Sequence, residues 1–142
     1  MKKNIFTSLA LLAFCFVAFT AQAQTRYTSQ TDSFGYTTTT GSNGYRATSY
    51  TDSFGNTHTR TNTGVTYTTH TDSFGNTTTT GSNGYRSTSY TDSFGNTHTR
   101  TNNGTTYNSH TDRFGNTTTT GSNGVRATST TDSFGYTTTS LW

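Results

Sequence analysis

The chain repeats itself every twenty residues, and that period limits its architecture more than any other feature. Five full copies begin at Thr31, Thr51, Thr71, Thr91 and Thr111, and a shortened sixth begins at Thr131. The segment TDSFGNTHTR occurs letter for letter at 51–60 and 91–100. Every copy places Asp second, Phe fourth and Gly fifth: Asp32, Phe34 and Gly35; Asp52, Phe54 and Gly55; Asp72, Phe74 and Gly75; Asp92, Phe94 and Gly95; Asp112, Phe114 and Gly115; Asp132, Phe134 and Gly135. Each then carries a Thr-x-Thr: Thr37 and Thr39, Thr57 and Thr59, Thr77 and Thr79, Thr97 and Thr99, Thr117 and Thr119, Thr137 and Thr139. A unit this short cannot bury a core alone, so neighbouring copies must cover one another.

The punctuation divides each copy into strand, turn and strand. In D-S-F-G-N the Asp side chain can take hydrogen bonds from the backbone that follows it, and Gly accepts positive φ. G-S-N-G or T-N-T-G supplies a second turn. Thr, Tyr and Phe favour strands, and the chain has no Pro to interrupt a ladder. The fold class is therefore all-β. A second period of forty residues runs through it, with large and small side chains alternating at Tyr45, Val65, Tyr85 and Thr105, and inversely at Ala47, Tyr67, Ser87 and Tyr107. Coils stacked in register set large beside small at each step, which predicts a β-solenoid of twenty-residue strand-turn-strand coils. A β-meander of hairpins is the alternative.

The first residues have the plan of a secretory signal peptide. Lys2 and Lys3 precede an apolar run at 5–19, and Ala21-Gln22-Ala23 offers a small-x-small cleavage site. The expected organisation is a signal peptide at 1–23, a lead-in at 24–30, five repeats at 31–130 and a truncated repeat at 131–142. Cleavage after Ala23 predicts a secreted or cell-surface protein without a membrane span. It also removes both lysines and Cys15, leaving seven Arg against six Asp, a net charge of +1. That balance gives no electrostatic reason to expect a nucleic-acid partner.

No enzyme constellation stands out. Glu is absent, and the His-Thr-Asp runs at 70–72 and 110–112 are duplicated where a catalytic site is singular. In stacked coils the Asp row would repel itself at a spacing of about 4.8 Å. Arg at the sixteenth or tenth position of each copy is the expected neutraliser, and a calcium ion is the weaker one. No other cofactor is expected.

The Thr-x-Thr array resembles the Thr ranks of β-solenoid ice-binding proteins, which implies hydroxyls displayed on a flat face. His58, Arg60, His98 and Arg100 alternate with those threonines and belong in water, which would turn the Thr pair inward instead. The run S-Y-T-D-S-F-G-N at 89–96, and the Thr-rich strand closing the parallel copy at 77–80, resemble the YD or RHS repeat. The layout of leader plus five strand-turn-strand repeats is similar to the curli major subunit. Low charge, strong strand propensity and absence of Pro are marks of cross-β association. The expected function is a secreted, non-enzymatic structural protein that associates with itself into an amyloid-like extracellular β-fibre or surface matrix. Ice binding through the Thr array is the second expectation, and an adhesin or orphan YD-repeat fragment the third. Beyond a second copy of the chain, ice and cell-surface glycans are the partners these readings name.

Overall fold

The computed structural model describes residues 24–142. The signal peptide expected at 1–23 lies outside the described residues. Twelve strands follow in order: β1 (Thr25–Thr31), β2 (Thr37–Gly41), β3 (Arg46–Thr51), β4 (Thr57–Thr61), β5 (Thr66–Thr71), β6 (Thr77–Gly81), β7 (Arg86–Thr91), β8 (Asn96–Thr101), β9 (Thr106–Thr111), β10 (Thr117–Gly121), β11 (Arg126–Thr131) and β12 (Thr137–Leu141). Each pairs antiparallel with its neighbours in sequence, and β12 pairs with β1 from Thr25↔Leu141 to Ser29↔Thr137. The sheet is a closed barrel.

The all-β class holds, but the solenoid does not. Successive copies lie side by side as six hairpins instead of stacking as coils, which is the meander arrangement closed on itself. The lead-in forms β1 and the truncated copy forms β12, and these two strands close the barrel. Closure pairs every strand on both sides, so the open edges that favoured strand addition do not exist among the described residues.

Strand pleating sends alternate residues inward. The middle Thr of each Thr-x-Thr strand, at positions 39, 59, 79, 99, 119 and 139, is buried, whereas Arg60 and Arg100 are exposed outside. Most inward hydroxyls satisfy one another across each hairpin, the buried Ser87 hydroxyl being an exception. Ser29–Thr39, Ser49–Thr59, Thr69–Thr79, Ser89–Thr99, Ser109–Thr119 and Ser129–Thr139 bond at 2.6–2.9 Å. A second rung joins Thr31–Thr37, Thr51–Thr57, Thr71–Thr77, Thr91–Thr97, Thr111–Thr117 and Thr131–Thr137 at 2.8–3.1 Å. Thr suits this interior because its hydroxyl finds a partner while its methyl fills space.

The forty-residue alternation has a different cause from stacked coils. Inward Tyr27, Tyr67 and Tyr107 pair across their hairpins with Gly41, Gly81 and Gly121. A Cβ on those glycines would lie 2.6–2.8 Å from the facing ring, so only Gly fits. In the intervening hairpins small Ala47, Ser87 and Ala127 face Thr61, Thr101 and Leu141. Large meets small within a hairpin, and the two hairpin types alternate around the barrel.

Candidate functional site

An up-and-down barrel sends alternate turns to opposite ends. Five D-S-F-G turns and the D-R-F-G turn of the fifth copy lie at one end, and five G-S-N-G-type turns lie at the other with the two termini. The first end is built identically six times. Asp32 Oδ1 accepts the N–H of Phe34 and of Tyr36 at 2.9 Å, and the Gly35 N–H donates to the Asp32 carbonyl at 3.1 Å. Gly35 has φ of 85°, a left-handed value that L side chains rarely adopt. The same bonds recur at Asp52, Asp72, Asp92, Asp112 and Asp132.

This turn holds its third residue, Phe, at the tip, away from the barrel interior. Phe34, Phe54, Phe74, Phe94, Phe114 and Phe134 are consequently 75–89% exposed. Turn chemistry asks for Asp and Gly here and accepts almost any residue between them. Six exposed rings therefore have no folding role that the turn explains. Together they present on the order of 1,000 Å² of aromatic surface, spread around the rim as one ring per hairpin. Exposed Tyr36, Tyr50, Tyr90 and Tyr136 extend the aromatic surface around this Phe rim.

Carboxylates encircle the same rim, one per hairpin and two strands apart, so neighbours stand about 10 Å from each other, not the 4.8 Å of a stacked row. Their hydrogen bonds hold several of them charged. His58 Nε2 lies 2.9 Å from Asp52 Oδ2, and this contact, with the Asn56 and Phe54 bonds, lowers the Asp52 carboxyl to about 2. Asp92 is held well below the usual carboxylate range by Asn96 first and His98 second. The Asn76 side chain lowers Asp72, and the Asn116 backbone lowers Asp112. His98 sits between two acceptors, Asp92 Oδ2 at 3.1 Å and Asn108 Oδ1 at 2.7 Å, and its pKa is raised by Asp92 first. The His58 and His98 rings stack on Tyr50 and Tyr90 at centroid distances of 5.1 and 5.0 Å.

The arginines are not where neutralisation of the Asp row would need them. Arg26, Arg46, Arg60, Arg86, Arg100 and Arg126 all lie within two residues of the far end, exposed on the outer wall. Arg26, Arg46 and Arg86 are tied there through backbone bonds from Ser42, Asn62 and Asn102. Only Arg113 stands at the Phe rim, 4.9 Å over the Phe114 ring. Among the described residues no Asp–Arg ion pair forms, and no three metal-ligating side chains converge. The barrel is thus charged oppositely at its two ends, a polarity that follows from the fixed offsets of Asp and Arg from the two turn types. Sequence reasoning overlooked it because coils would have brought the two groups together.

Between the ends, the outer wall over β6–β9 holds a groove of about 660 Å³ lined by Asn76, Thr88, Tyr90, His98, Arg100 and Asn108 among others. No family model matches the chain, and no curated protein or solved structure matches it.

Proposed function

We propose that the protein is a secreted, non-enzymatic structural subunit that joins to copies of itself through the ends of its barrel, forming an extracellular fibre or surface matrix. The ring of six exposed Phe at one rim carries this reading. Water around so much aromatic surface is unfavourable, and covering it is the readiest source of association energy. Because strand edges are paired all round, growth uses the rims and not strand addition. Ice binding is less favoured, since the middle threonines of the array spend their hydroxyls on Ser and Thr partners inside the barrel.

The test is sedimentation and negative-stain microscopy of the mature chain across a concentration series. Rod-like assemblies are expected, and Phe→Ser replacement at all six tips should leave a folded monomer. A wild-type protein that stays monomeric at every concentration would contradict the proposal.

One observation favours a second reading, an adhesin for glycans. The outer groove combines the stacked Tyr90 and His98 rings with the amides of Asn76 and Asn108, a mixture suited to sugar faces and hydroxyls. Saturable binding on a glycan array, lost in Tyr90→Ala, would support it.

A further inference from the structure

We infer that copies of this barrel join head to tail, the Phe rim of one seated on the Arg end of the next, so that association runs on as a polar filament. The inference rests on the self-association reading and assigns the partner surface that the Phe rim covers.

Three observations carry it. First, most of the charge complementarity lies between the ends, since the Phe rim sets against its six Asp only Arg113 and the His58 and His98 contacts. Six Asp surround the Phe rim, and six exposed Arg without carboxylate partners surround the far end. Two Phe rims face to face would confront twelve carboxylates, several of them hydrogen-bonded as anions. Opposite ends bring Asp and Arg together, which steers approach and disfavours the wrong orientation.

Second, the two ends repeat alike. Each hairpin places one Phe and one Asp at the rim, and the far end has five turns plus the β1–β12 junction, again six positions. A rim can therefore meet an end turn over turn, with the Arg gathered as three pairs, on β3/β4, β7/β8 and β1/β11.

Third, the far end offers apolar footing. Val65 and Val125 are partly exposed where the far turns re-enter the barrel, Tyr45 and Tyr85 plug its mouth against Tyr27 and Tyr67, and Trp142 is 57% exposed beside Arg126. Because the two surfaces lie at opposite ends of the barrel, the contact stacks copies along the barrel axis, leaves one of each surface unused and generates an open polymer.

Two separately disabled variants test the orientation. One carries Phe54→Ser, Phe94→Ser and Phe134→Ser, and the other Arg46→Glu, Arg86→Glu and Arg126→Glu; far-UV circular dichroism checks that both keep the barrel. At concentrations where wild-type protein forms filaments, each alone should be monomeric and an equimolar mixture should form a heterodimer and nothing longer. A dimer formed by the Arg→Glu protein alone would show rim-to-rim pairing and overturn the inference while leaving self-association standing. A monomeric wild type would instead remove the self-association reading itself.

Salt gives a check that needs no variant. Raising ionic strength from about 0.01 to about 0.15 M shortens the screening length from ~30 to ~8 Å, and head-to-tail association should weaken by roughly tenfold. Strengthening over that range would mean that like charges face each other, and would overturn the inference.

Discussion

At the scale of single residues, the inward hydroxyls and the charged turn groups decide most of the behaviour. Thr79 is 1% exposed and its hydroxyl bonds only to Thr69, so Thr79→Val strands a buried donor. That change should cost about 1–3 kcal/mol in urea unfolding. Adding Thr69→Val should recover much of the loss, because an apolar pair strands nothing. The His–Asp pairs at the rim give stability a pH dependence of known sign. His98 has a raised pKa, so its contribution is complete below its usual 6.5 and disappears as pH rises through the raised value. Asp52 has a lowered pKa, so its contribution is present above 3.8 and disappears as pH falls towards about 2. NMR titration should find His98 protonated to higher pH than a free imidazole, and Asp92→Asn should bring it down.

The element that matters is the hairpin, in its two alternating forms. One form pairs an inward Tyr with Gly, and the other pairs Ala or Ser with Thr or Leu. Gly81→Thr alone should destabilise the barrel by about 1–3 kcal/mol, because its Cβ would meet Asn83 Oδ1 at 2.6 Å and the Tyr67 ring at 2.8 Å. Combined with Tyr67→Ala it converts that hairpin into the other form, and thermal unfolding should show the double variant more stable than the Gly81→Thr single. Additive losses would mean that the Tyr–Gly pairing is not what sets the alternation. The turns of these hairpins were legible in the sequence because their causes are local: Asp32 and Gly35 act within five residues of each other. The inward direction of Thr59 was half legible, through the outward chemistry of His58 and Arg60. Solenoid and meander were harder to separate, since both explain an alternation of size. The offset that distinguishes them, Tyr27 to Gly41 and Tyr67 to Gly81, was present in the letters but becomes meaningful only once β1 and β2 are known to pair.

For the whole molecule, closure is the property on which the proposed assembly rests. It turns a repeated ribbon with two exposed edges into an object with two ends, one bearing Phe and Asp, the other Arg. Nothing local marks Thr25–Thr31 and Thr137–Leu141 as partners, because they are separated by the rest of the chain. The composition was misleading at this scale for a physical reason. A barrel interior filled by hydroxyl pairs needs few aliphatic side chains, so polarity that suggests an open cross-β assembly is compatible with a closed sheet. The Arg end went unread for the same cause, since its members gather only when alternate turns are sent to opposite rims.

The central claim, that β1 and β12 close the barrel, is open to a direct measurement. Thr28 and Thr138 are paired on the outer wall at the closing seam. Antiparallel partners stand about 4.5–5.5 Å apart at Cα, within disulfide reach. Residues 24–142 contain no Cys, so Thr28→Cys with Thr138→Cys in that segment provides an unambiguous pair. Oxidation of the dilute protein should give a monomeric, internally crosslinked species that unfolds at higher denaturant than its reduced form. Free thiols, or disulfides only between chains, would contradict closure and with it the two-ended account of assembly.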